Sequence, residues 1–182
     1  MSMTANVYWF GITGTWNTTL AEVRDCVVKE IEEIFSEPGR GIVTGGALGV
    51  DYYAVEAAIA LDPGAERIRV VIPSTLEEYC RHLELWSRGY DTGDPGITLA
   101  QKDMLIDQLS TLKTTNDQSM IECSRISAEY IDQTAYYARN SVVVELSDEI
   151  IAFQVSKSKG TQDTIQKAIA HGKRVKLLPF SE

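Results

Sequence analysis

Short apolar runs alternate with longer amphipathic ones along this chain of 182 residues. Val7 to Ile12 reads as a first buried strand and ends at Thr13-Gly14-Thr15. From Leu20 to Phe35 the apolar residues Leu20, Val23, Val27, Ile31, Ile34 and Phe35 fall at helical spacing, and Pro38-Gly39 ends that helix. Gly41 to Thr44 reads as a second strand. A glycine turn follows, and Val50 to Leu61 as a second helix. Pro63-Gly64 is a turn, and Arg69 to Ile72 is a third strand stopped by Pro73. Thr75 has the place of an N-cap, with Glu78 as its capping-box partner. Residues 87–96 form a polar, glycine-rich loop. Thr98 to Leu112 carries a helical pattern, and Thr114 to Gln118 is again polar. Ser127 to Arg139 reads as a helix, after which Val142, Val143 and Val144 carry an apolar run into the turn Ser147-Asp148. Glu149 to Val155 is a strand, Thr164 to Ala170 a helix ended by Gly172, and Val175 to Leu178 a last strand stopped by Pro179.

The strands are continuous apolar runs rather than alternating ones, and helices separate them. That pattern predicts an α/β fold: a three-layer, Rossmann-like, doubly wound sheet, mostly parallel, with helices on both faces. The length suits a single domain over residues 1–182. Ligands of such sheets bind outside the carboxyl ends of the strands, at the switch in strand order. Three strand ends carry glycine turns: Thr13-Gly14-Thr15, Gly45-Gly46-Ala47-Leu48-Gly49 and Lys159-Gly160-Thr161. In a parallel sheet all three lie on one edge. Glycine allows positive φ and close approach, and the N–H groups at the start of the next helix favour an anion. Phosphate is the usual biological anion in such a turn. The competing explanation is a tight turn whose glycines serve packing alone.

The charge balance narrows the ligand. Formal net charge is −9, and we expect it to argue against a nucleic-acid partner, which needs clustered Lys and Arg. A local nest of N–H groups still accommodates a small phosphate-bearing molecule. Three cysteines (Cys26, Cys80, Cys123) show no CxxC spacing and read as free thiols. His82 and His171 are far apart in sequence, so no metal is expected, and nothing names a cofactor. No basic stretch followed by an apolar run opens the chain, and no apolar run approaches the roughly 20 residues that cross a bilayer. The expected location is the cytoplasm, with no membrane partner.

Four segments together resemble the DNA-processing protein A (DprA/Smf) family. Ile42-Val43-Thr44-Gly45-Gly46-Ala47-Leu48-Gly49-Val50-Asp51 with Ala54 is similar to its Gly-x-Ala-x-Gly-Ile-Asp-x-x-Ala segment. Gly11-Ile12-Thr13-Gly14-Thr15 resembles its strand-one turn. Ala138-Arg139-Asn140-Ser141-Val142-Val143 with Leu146-Ser147-Asp148 resembles its Arg-Asn-Arg-Ile-Ile and Leu-Ser-Asp segment, with Ser141 in place of the second Arg. Lys157-Ser158-Lys159-Gly160-Thr161 resembles its Lys-Ser-Gly-Ser turn. The resemblance implies the wider Rossmann-like nucleotide-binding superfamily that includes the Lonely Guy phosphoribohydrolases. The Lonely Guy motif Pro-Gly-Gly-x-Gly-Thr-x-x-Glu is absent, and Thr164 stands where that pattern carries its Glu.

These readings give a candidate site. Gly45, Gly46, Ala47 and Gly49 offer backbone N–H groups, as do Gly14 and Gly160. Thr13, Thr15 and Thr161 add hydroxyls. Asp51 either bonds a ribose hydroxyl or ties down its own turn. Arg139 is the preferred cation, the alternative being a charge at a helix C-terminus, and Asn140 either lines the site or stops that helix. Ser74 is a further lining candidate. Trp9 and Phe10 read as core. Trp86, Tyr90, Tyr136 and Tyr137 are candidates for stacking on a base, although packing is the default. Glu122 and Glu129 are candidate carboxylates. The leading expectation is binding of a nucleotide or nucleotide-derived phosphate ligand at the strand ends, in sensing, carriage or an unassigned activity. Two alternatives follow from the resemblance: hydrolysis of a nucleotide N-glycosidic bond, and single-stranded DNA binding. Helical surfaces of this fold suggest a homo-oligomer.

Overall fold

The computed structural model describes residues 6–90, 96–123 and 131–181. Its elements are β1 (Tyr8–Gly14), α1 (Ala21–Phe35), β2 (Arg40–Thr44), α2 (Val50–Leu61), β3 (Ile68–Ile72), α3 (Leu76–Ser87), α4 (Leu99–Thr115), β4 (Met120–Glu122), α5 (Gln133–Leu146), β5 (Glu149–Val155), α6 (Lys159–Ala170) and β6 (Arg174–Phe180). Among the described residues the strands form one six-stranded sheet in the order β4-β3-β2-β1-β5-β6. Every pairing is parallel. Phe10 is in register with Ile42 on one side and with Glu149 on the other.

Continuous apolar strands need cover on both faces, and they have it. Val23, Val27 and Ile31 of α1, Ala54 and Ala58 of α2, and Leu105, Leu109 and Leu112 of α4 share one core with Ile12, Ile42, Val70 and Phe153. On the opposite face Val143 of α5 packs with Val43 and Val71. Val144 joins Ile165 and Ala168 of α6 over Ile150 and Ala152. The architecture is therefore the expected α/β, doubly wound, Rossmann-like sheet.

Four local readings change. α6 starts at Lys159, so Lys159, Gly160 and Thr161 form the first turn of the helix rather than a turn before Thr164. The apolar run Val142–Val144 is not a separate segment. It continues α5, which starts at the Asp132 N-cap (its side chain accepts from Ala135 N–H) and meets no glycine or proline before Ser147. Val143 and Val144 point into two different core clusters, which is why the run has no polar member. Arg139 and Asn140 accordingly sit inside a helix, so neither caps nor stops it. The part of the expected helix before Gln133, from Ser127 to Tyr130, lies outside the described residues, as does Glu129. Next, β4 has only three residues and follows a polar stretch, too short to show a period. Finally, Pro179 lies inside β6. This is an edge strand, where a missing N–H is tolerated.

Caps follow the sequence more closely. Thr98 and Gln101 form a full capping box at α4. Thr75 caps α3 by accepting from Glu78 N–H, but the Glu78 carboxylate turns instead to the Ser74 hydroxyl. No described helix is long and apolar enough to cross a membrane.

Candidate functional site

Strand order reverses between β1 and β5: the chain moves outward through β2, β3 and β4, then returns to place β5 on the other side of β1. The carboxyl ends of two adjacent strands whose connections diverge leave a crevice. A cavity of about 490 Å³ lies there.

Thr13 and Gly14 of β1 line it, with Gly45, Ala47 and Asp51 from the β2–α2 turn. Arg139 and Asn140 enter from α5, and Gly160 from the first turn of α6. The remaining four candidates lie elsewhere. Thr15 Oγ1 donates to Val155 O and accepts from Val155 N–H, so this hydroxyl fastens β1 to β5. Gly46 has φ +63°, and a Cβ on it would meet Val70 at 2.8 Å and Ile72 at 2.9 Å. Gly49 has φ +64° and passes the Trp16 carbonyl so closely that a Cβ would sit 2.5 Å from it. These two glycines shape the turn and serve packing. Thr161 is buried in α6, and its hydroxyl has no partner among the described residues.

Gly45 has a different reason to be glycine. A Cβ there would lie 2.5 Å from Arg139 Cζ and 2.8 Å from Asp51 Oδ2. The bare backbone thus lets a guanidinium and a carboxylate close over the turn. Asp51 Oδ2 accepts from Ala47 N–H at 3.3 Å, and Arg139 Nη1 stands 3.9 Å from the same oxygen. Asp51 therefore ties down its own turn, and the anion seat made by the start of α2 holds this protein's own carboxylate. Burial pushes the Asp51 carboxyl above its ordinary value, against the opposing pull of Arg139 and the turn N–H groups. Arg139 is itself buried, with Nε and Nη1 lacking any hydrogen-bond partner among the described residues.

The α6 end is the opposite case. Ser158 occupies the N-cap without a side-chain bond, and Lys159 and Gly160 face the cavity. A Cβ on Gly160 would meet nothing within 4 Å. Asn140 Nδ2 donates to Asp163 Oδ2 at 3.0 Å beside it. Thr164, at the place of the Lonely Guy Glu, also lines the cavity, with its hydroxyl donating to Gly160 O.

An aromatic wall completes the cavity. His82 lies 6.1 Å from Trp86, 6.2 Å from Tyr136 and 6.4 Å from Tyr79, ring centroid to centroid, and Trp16 lies 5.1 Å from Trp86. The Tyr79 hydroxyl donates to Gly46 O, and burial raises its pKa well above the ordinary phenol value. Burial pushes Tyr136 up to about 12. Trp86, Tyr136 and Tyr137 were candidates from sequence. Trp16, Tyr79, His82 and Asp132 were not, yet Tyr79, His82 and Trp86 recur at i, i+3 and i+7, one face of a helix. Tyr90 is exposed instead.

Other candidates serve structure. Glu122 accepts from Leu76 N–H and pairs with Lys113, which holds its carboxyl below the ordinary range. Ser74 is buried and bonded to Glu78 rather than lining the cavity. Trp9 and Phe10 pack against the sheet cores as expected. The described residues hold no cluster of His, Cys, Asp and Glu fit for a metal ion.

No protein-family model and no curated protein matches the chain. Solved structures do. DNA processing protein A from Helicobacter pylori, in a structure reported for its single-stranded DNA binding mode, is 20% identical with a TM-score of 0.64, over 96% of this chain and 66% of that one. DNA processing protein A from Streptococcus pneumoniae is 14% identical with a TM-score of 0.49, over 93% of this chain and 58% of that one. The chain thus spans just under two thirds of the first protein's length and less of the second's. One sequence expectation is corrected here. A net charge of −9 does not argue nucleic acid away, because the fold is shared with a protein described as binding single-stranded DNA. Contact depends on a local surface, whereas net charge averages over the whole molecule. The chain has the Rossmann-like fold of DNA processing protein A, the protein whose strand-end motifs its own sequence resembles.

Proposed function

We propose that this protein binds a nucleotide or a nucleotide-derived phosphate ligand in the cavity at the strand ends. The observation that carries the reading is Arg139, a buried cation with two nitrogen atoms that have no hydrogen-bond partner among the described residues, lining a cavity that also has an aromatic wall. An oxyanion satisfies a guanidinium with charge-assisted hydrogen bonds, and an aromatic wall suits the face of a base. The bare Gly160 at the start of α6 leaves room for the phosphate close to backbone N–H groups.

Gly160→Glu tests this. The new side chain meets no protein atom at its Cβ, and a carboxylate in the first turn of a helix is tolerated. It would place a negative charge where the phosphate is expected. A thermal-shift and calorimetric screen of nucleoside mono-, di- and triphosphates should find a ligand for the parent and none for the variant, with the melting temperature of the free proteins alike. A folded variant that binds the same nucleotide equally well would sink the reading.

A second reading is single-stranded DNA, supported by the Helicobacter pylori neighbour and by the aromatic wall, since single strands stack on such platforms. It predicts that oligonucleotides bind more tightly than mononucleotides and that their affinity falls steeply with salt.

A further inference from the structure

We infer that Asp51 is a resident competitor for Arg139, so that an oxyanion entering the cavity displaces the carboxylate and binding takes up one proton from solvent. The inference rests on the anion seat proposed above and adds the way that seat is regulated.

Three observations place the two groups in competition. Asp51 occupies the turn at the start of α2, accepting from Ala47 N–H, with the Thr44 hydroxyl and Gly45 N–H beside it. Its Oδ2 stands 3.9 Å from Arg139 Nη1, too far for a hydrogen bond but within ion-pair range. Both side chains are more than nine-tenths buried and both line the cavity. Arg139 therefore sits beside an anion without being hydrogen-bonded to it, and its Nε and Nη1 have no hydrogen-bond partner among the described residues. Such a cation gains hydrogen bonds by turning to a ligand.

When the guanidinium turns away, the opposing cation described at Asp51 is lost, and burial is resisted only by the hydrogen bonds of the turn, from Ala47, Thr44 and Gly45. The carboxylate then takes a proton instead of remaining an unpaired buried charge. Among the described residues, Tyr79 of α3 faces it and Tyr136 of α5 lines the same cavity, both raised by burial and so neutral throughout. Farther around the same cavity stand His82, Asp132, Tyr137 and Lys159. Of these, an imidazole ordinarily titrates nearest neutrality, so His82 needs its own control.

The test uses the full chain with two probes, AMP and inorganic sulfate. Sulfate carries no titratable proton near neutrality, so any uptake on binding belongs to the protein. Proton uptake is read by calorimetry in buffers of different ionisation enthalpy and by an indicator dye. The parent should take up protons on binding, up to one per anion, with affinity weakening as pH rises, by at most about tenfold per pH unit. Asp51→Asn should bind without uptake and with flat pH dependence, whereas His82→Gln should retain the uptake. Binding without uptake in the parent, or uptake unchanged in Asp51→Asn, overturns the inference. If Asp51→Asn fails to fold, the parent and His82→Gln decide through their pH dependence alone, and a flat profile overturns it. AMP binding together with sulfate binding that takes up no proton refutes the inference and leaves the nucleotide reading standing. Proton-linked sulfate binding with no nucleotide ligand does the reverse. No binding of any anion refutes both.

Discussion

Arg139→Met is the most informative single change, because it separates a structural role of the guanidinium from a binding role. The buried pair stands at 3.9 Å. Two unit charges at that distance attract by about 4 kcal/mol at an effective dielectric of about 20. Removing one partner of a buried pair costs about 3–5 kcal/mol, since the other is left uncompensated. Nε and Nη1 of the parent, without a hydrogen-bond partner among the described residues, reduce the loss, because their desolvation is already a burden there. We therefore expect about 3 kcal/mol of destabilisation at pH 7.5, or roughly 6–12 °C in Tm for a chain of this size. The pH dependence has a definite sign. Without Arg139 the Asp51 carboxyl rises further above its ordinary value, so the folded state holds more protons than the unfolded state. Stability then falls as pH rises from about 4 toward the folded value, and the variant recovers on acidification. Adding Asp51→Asn should abolish that slope and restore most of the loss, since both charges are gone and the shapes are kept. Urea unfolding of the parent, both single variants and the double variant at pH 5 and 7.5 gives the cycle. Arg139→Met within about 0.5 kcal/mol of the parent at pH 7.5, or a double variant no better than the single, would refute the reasoning.

Gly46→Ala combines a φ of +63° with a Cβ at 2.8 Å from Val70, and should cost about 2–4 kcal/mol in a denaturant titration; a loss below 1 kcal/mol would mean that the turn relaxes freely. Trp86→Ala should weaken a nucleotide by about 1–3 kcal/mol, roughly fivefold to 150-fold in Kd, if the base stacks on the wall; an unchanged Kd would move the base elsewhere.

The fold was legible where each element carries its own signal. The helical spacing of Val23, Val27 and Ile31 and the apolar run of β5 need no tertiary knowledge. β4 was hidden because three residues carry no period, and it pairs with β3 only because the sheet supplies the partner. α5 was cut short because Val142–Val144 mimics a strand: a helix buried against two clusters at once loses the polar face that identifies helices. The misplaced end of α5 then made Arg139 look like a C-terminal charge. Eight of the twelve site candidates nevertheless line the cavity: six because the carboxyl ends of parallel strands converge whatever their side chains, and Arg139 and Asn140 because α5 crosses that edge.

What sequence cannot distinguish is one glycine turn from another. The turn after β2 and the start of α6 both read as anion sites, and each has glycine next to a helix N-terminus. Their neighbours decide otherwise. In the first turn, Gly46 and Gly49 are required by methyl groups and a carbonyl, and Asp51 takes the Ala47 N–H. In the second, no described residue requires Gly160, and the cap residue makes no side-chain capping bond. The richer motif is thus the filled seat and the plainer one the open seat. Arg139 lines the cavity that both seats share, paired at long range with the carboxylate of the first. A buried cation left short of hydrogen bonds has a free-energy reason to accept another anion. The strongest sequence motif therefore shapes the site chiefly by supplying Asp51, the group against which a ligand must compete.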